Sequence, residues 1–90
     1  MLGTVKLALR ITNTAYDTEI LDLIAEAKAD MTLCGIKKII ETDVLVKRAI
    51  VTYCKANFGL FNSDGEKLQA SYEAIRNHLS MSIDYNTVVI

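Results

Sequence analysis

The chain reads as an all-α protein: a small bundle of three longer helices plus a short N-terminal helix, with a short extended C-terminal tail. Three observations lead there. Apolar residues recur at spacings of three and four in three separate stretches, the period of a single helix face. Proline is absent, and only Gly3, Gly35, Gly59 and Gly65 punctuate the chain, two of them where a helical pattern stops. Finally, 90 residues of which 51% are hydrophobic suit one domain, residues 1–90, with enough apolar surface to offset the entropy of ordering. That share exceeds the usual ~45–50%, which opens the question of whether some apolar surface is buried between chains.

The first helix is expected over about 4–10, with Thr4 as cap and Val5, Leu9 and Leu2 facing inward. The β-branched residues and Asn of Ile11-Thr12-Asn13-Thr14 form helix poorly and end it. The second helix, about 15–34, has Thr14 or Asp17 as its cap and Gly35 just past its end. Its apolar stripe is Ile20, Ile24, Ala27, Met31 and Cys34, widened by Leu21 and Leu23. Glu19, Asp22, Glu26 and Asp30 fall within roughly 80° of one another on the other face, at 100° per residue. Four like charges there repel mildly, and the face is either solvated or a docking surface for a basic partner.

Residues Gly35 to Thr42 form a connector, extended or a single turn, carrying Ile36, Ile39 and Ile40 around Lys37 and Lys38. The third helix is expected over about 43–58, capped by Asp43 or Thr42 and followed by Gly59. One broad apolar face holds Leu45, Val46, Ala49, Ile50, Tyr53 and Ala56. A narrower stripe holds Val44, Val51, Cys54 and Phe58, beside Lys47, Arg48 and Lys55. A helix apolar on two sides is buried on two sides. Either it is the central helix of its own domain, or it offers the second stripe to another subunit.

The fourth helix, about 63–79, opens on a capping box, Ser63-Asp64-Gly65-Glu66. Leu68, Tyr72, Ile75 and Leu79 follow at helical spacing, with His78 at the rim. The expected core is Leu9, Ile20, Ile24, Ala27, Met31, Leu45, Ala49, Tyr53, Leu68, Tyr72, Ile75 and Leu79. The tail, 80–90, loses the helical period and ends in Thr87, Val88, Val89 and Ile90. Four such residues suit a short extended segment that docks on a partner or pairs with Lys37 to Ile40.

The chemistry points away from catalysis. The carboxylates lie on predicted solvent faces, and neither a phosphate-binding glycine loop nor a nucleophile motif occurs, so no catalytic residues are assigned. Cys34 and Cys54 lack metal-ligand spacing and read as two buried free thiols, with a disulfide between them the lesser alternative. No metal or other cofactor is therefore expected. Ten basic and eleven acidic side chains give a net charge of −1, without the basic excess that phosphate-gripping proteins usually carry. There is no apolar run long enough to span a membrane, and Met1 to Arg10 does not have the form of a signal peptide. The alternative from another class is a small helix-turn-helix-type DNA-binding regulator. Its third helix would offer Lys47, Arg48 and Lys55, but the connector exceeds the usual turn of three or four residues.

Taken in order, these segments resemble a family. They are Val5-Lys6 and Leu9-Arg10-Ile11, then Asp17 before Ile20, Leu23-Ile24 and Ala27, then Leu33-Cys34-Gly35-Ile36. Lys47-Arg48-Ala49-Ile50 and Tyr53-Cys54-Lys55-Ala56-Asn57-Phe58-Gly59 follow. Tyr72-Glu73, Leu79-Ser80-Met81-Ser82 and Tyr85 close the series. Together they resemble the small head–tail connector, or DNA-packaging, proteins of long-tailed bacteriophages and prophages. The resemblance implies a structural virion component. Such a protein forms a ring, a dodecamer matching the portal, and docks the next neck or tail protein. DNA passes through its channel without specific binding, and no membrane is involved. It would reside at the head–tail junction of the virion, and in the host cytoplasm during assembly.

A ring needs two different complementary patches on each chain. The expected subunit interface sets the acidic row Glu19, Asp22, Glu26 and Asp30 against Lys47 and Lys55 with Val44, Val51 and Phe58. The expected tail or partner docking segment is Thr87, Val88, Val89 and Ile90.

Overall fold

The computed structural model describes residues 1–58 and 64–81. It contains α1 (Leu2–Leu9), α2 (Asp17–Leu33), α3 (Val44–Asn57) and α4 (Gly65–Met81), and no strand among the described residues. The all-α bundle is as expected. The tail from Ser82 onward, with the expected docking segment Thr87 to Ile90, lies outside the described residues, as does Ser63 of the expected capping box.

The helix ends explain where each element stops. α1 starts earlier than expected, with Met1 rather than Thr4 at the cap position. It ends at Arg10, whose φ of 59° is left-handed. There the Arg10 N–H donates to Leu7 O and the Ile11 N–H to Lys6 O, the paired closure that satisfies a helix's last carbonyls. The same closure ends α2: Gly35 at φ 92° donates to Thr32 O, and Ile36 donates to Met31 O. Ile36 and Met31 are both buried, the apolar contact that accompanies this motif.

At the start of α2, Tyr16 holds the cap position without a side-chain cap bond, so neither Thr14 nor Asp17 plays that part. Asp17 is the first helical residue instead. Its buried Oδ1 has no aligned hydrogen bond, and the Lys6 ammonium 2.7 Å away compensates its charge, tying α1 to α2. At α3 the expected cap is present: Asp43 Oδ1 accepts from Leu45 N at 2.9 Å and Val46 N at 3.2 Å.

Cross-helix contacts give the topology. Tyr16 meets Phe58 edge-on, with centroids 5.4 Å apart, so the start of α2 faces the end of α3. Tyr53 meets Tyr72 at 5.0 Å, and Asn57 Nδ2 donates to Gln69 Oε1 at 3.5 Å, so α4 also runs antiparallel to α3. α2 and α4 are therefore roughly parallel. α3 packs against α1, α2 and α4.

The central placement of α3 decides its second stripe. Cys54 and Phe58 are buried in the chain's own core, Val51 packs against it, and only Val44 stands free of it. Of the expected core, Leu9, Ile20, Ile24, Ala27, Met31, Ala49, Tyr72 and Leu79 are buried. Tyr53 and Ile75 pack on its edge, and Leu68 is half-buried. Leu45 is exposed, because the rotation of α3 gives the interior places to Val46 and Ile50 instead. Cys34 is exposed too, contrary to expectation. The left-handed turn at Gly35 ends the stripe after Met31, and Ile36 fills the buried place. Cys54 is buried, and desolvation followed by the nearby Glu26 charge pushes its thiol up to about 12, so it packs as an apolar group.

Candidate interaction surfaces

The acidic row of α2 is split by the fold. Glu19, Asp22 and Glu26 are exposed. Asp30 is not part of a free face: its Oδ2 accepts from the Tyr72 hydroxyl at 2.5 Å and from Arg76 Nη1 at 3.0 Å. The Arg76 guanidinium also lies 5.7 Å from the Tyr72 ring centroid. Burial raises the Asp30 pKa, but the two hydrogen bonds and the Arg76 charge outweigh it and hold the carboxyl below its ordinary range. Burial and the bond to Asp30 keep the Tyr72 hydroxyl protonated, as a donor must be. This polar clasp joins α2 to α4. The sequence reading missed it, and its only trace there is Tyr72 and Arg76 one helical turn apart.

The basic face is partly committed as well. Lys47, Lys55 and Val51 are half-buried, Arg48 and Val44 are exposed, and Phe58 is buried against Tyr16 and the core. Phe58 is thus unavailable to a partner in this conformation. Among the described residues, no ion pair joins the acidic row to Lys47, Arg48 or Lys55 within the chain. Glu19, Asp22 and Glu26 on one side and the α3 cations on the other are left for solvent or for other chains.

A second charged cluster fixes the connector. Lys28 bonds Glu41, and the Met1 amino group lies 3.5 Å from the same carboxylate. The Lys28 bond lowers the Glu41 pKa most, against some desolvation. The connector's position between α1 and α2 is held by charge as well as by buried Ile36.

The remaining feature is apolar exposure. Leu33 is 86% exposed, Met81 79% and Val44 75%, with Ile40 at 54%. Isolated exposed apolar side chains are ordinary; these four belong to the end of α2, the end of α4, the start of α3 and the connector between them. His78 is exposed at the rim of α4. No group of three His, Cys, Asp or Glu side chains among the described residues is placed to hold a metal. No helix among them is long and apolar enough to cross a membrane.

α3 is poorly placed to read DNA. It is sandwiched between the other helices, and the residues it leaves exposed are Val44, Leu45, Arg48 and Asn57. A base-reading helix presents a contiguous polar face to the groove.

The described residues form a closed all-α core and leave charged and apolar side chains on the outside, surfaces of the kind that contact other proteins. The family comparison agrees: the model of the phage connector protein family matches residues 1–86. The chain belongs to that family and is a structural phage component. No curated protein and no solved structure matches it.

Proposed function

We propose that the chain forms a ring between the portal and the next neck or tail protein, extending the DNA channel and completing the head after packaging. The ring is a dodecamer in the virion, and assembly takes place in the host cytoplasm. The observation that carries this reading is the family match over nearly the whole chain. The net charge of −1 supports it, because a conduit should not hold its cargo tightly.

The exposed surfaces support one subunit contact. Glu19, Asp22 and Glu26 of one copy face Lys47, Arg48 and Lys55 of the next, with Val44 and the outer edge of Val51 between them. Asp30 and Phe58 stay committed inside each chain. Each exposed pair contributes only about 0–1 kcal/mol, so the charges set orientation while apolar contact holds the subunits. A charge swap tests the contact by sedimentation. Asp22→Lys with Glu26→Lys should abolish assembly, and Lys47→Glu with Lys55→Glu added to the same chain should restore it. Unchanged assembly in the first double variant rules out this interface.

A further inference from the structure

We propose that the end of the bundle formed by the last turn of α2, the connector, the first turn of α3 and the last turn of α4 is the acceptor for residues 82–90 of a second copy. The inference deepens the ring reading and rests on its self-association. The antiparallel packing of α3 against both α2 and α4 brings these segments to one end. Among the described residues, five of the eight large apolar side chains left exposed lie there: Leu33, Ile40, Val44, Leu45 and Met81. Such a concentration on a small protein marks a contact site rather than chance exposure.

The chain itself supplies an occupant of matching chemistry. Beyond Met81, at that same end, it continues for nine residues that include Ile83, Tyr85, Val88, Val89 and Ile90. Nine residues reach up to about 30 Å when extended. The two shorter axes of the molecule are 26 and 19 Å. Rotational symmetry puts like ends of neighbouring copies on one face of a ring, so the neighbour's acceptor lies within reach. The apolar tip, Val88 to Ile90, is β-branched, and residues 82–90 contain neither the glycine nor the proline that most readily makes a reverse turn. In the proposed contact the tail runs extended, with that tip on the next copy's acceptor rather than its own. Tail and acceptor are different patches of one chain, as a ring contact requires.

The test uses two full-length variants, one altered in the acceptor (Leu33→Glu with Ile40→Glu) and one in the tail (Val88→Glu with Val89→Glu). Both acceptor positions are exposed, so folding is checked by circular dichroism and should be unchanged. Sedimentation and native mass spectrometry across a concentration series should show wild-type assembly shifted to about tenfold higher concentration, or lost, in each variant alone. Mixed together, the two should form a one-to-one pair and nothing larger, because only one tail and one acceptor remain intact. Assembly within twofold of wild type in either variant, no pair on mixing, or a wild-type chain that stays monomeric throughout would overturn the proposal. Capture by portal is measured in parallel: variants that fail this test yet still form portal-bound rings refute tail docking alone, whereas loss of portal capture by the wild type refutes the ring reading.

Discussion

Replacing Tyr72 by Phe should destabilise the fold by about 1.5 kcal/mol, and the loss should fade in acid. The substitution keeps the ring that is buried against Tyr53 and removes only the hydroxyl that donates to Asp30. A hydrogen bond to a charged group contributes roughly 1.5–3 kcal/mol. The lower end applies here, because Asp30 keeps Arg76 and its side chain is 35% exposed, so water can replace the lost donor. The sign with pH follows from the direction of the shift. The Asp30 carboxyl titrates lower in the folded chain than in the unfolded one, so its stabilisation is present above the ordinary carboxylate range. It is lost as pH falls through that range to the folded value. Urea denaturation of wild type, Tyr72→Phe, Asp30→Asn and the double variant forms a closed cycle, read at neutral and at acid pH. A coupling of about 1 kcal/mol at neutral pH that declines in acid is expected. A Tyr72→Phe variant within about 0.3 kcal/mol of wild type, or an equal loss at both pH values, would show that the clasp does not hold α2 to α4.

Other substitutions probe the remaining elements. Ile24→Ala, at a 5% exposed position, should cost about 2–5 kcal/mol in the same assay; a loss under about 0.5 kcal/mol would remove the α2 stripe from the core. Asp43→Ala deletes both cap bonds of α3 and should cost about 1 kcal/mol, seen as a lower urea midpoint with unchanged slope. Arg10→Gly should raise stability by about 0.5 kcal/mol. It relieves the left-handed strain at φ 59°, worth roughly 1–2 kcal/mol, against the extra freedom glycine gives the unfolded chain. A lowered midpoint would mean that the Arg10 side chain makes a contact worth more than that strain.

The helices were legible because their signals are local. The Ile20-Ile24-Ala27-Met31 spacing, Asp43 before an apolar run and Gly35 after one each follow from backbone geometry within a few residues. What was illegible depends on where helices meet. Nothing in the sequence separates Asp30 from Glu26, yet only Asp30 lies beside Tyr72 and Arg76 of α4. Leu45 and Val46 are equally apolar, and which of them faces inward depends on the rotation of α3 against its three neighbours. Cys54 and Phe58 made a plausible outer stripe until the central position of α3 put them in the core. Arg10 in a left-handed turn carries no sequence signal, because glycine and asparagine are the residues that announce such turns.

The central claim is that this chain is a ring-forming connector that docks on a portal. Electron microscopy of the purified chain mixed with its portal, with subunits counted in the averaged complex, tests it most directly. The account predicts a closed ring seated coaxially on the portal, with the twelve copies of the chain proposed above. A chain that leaves the portal bare, or that binds it only as isolated subunits without closing, would contradict it.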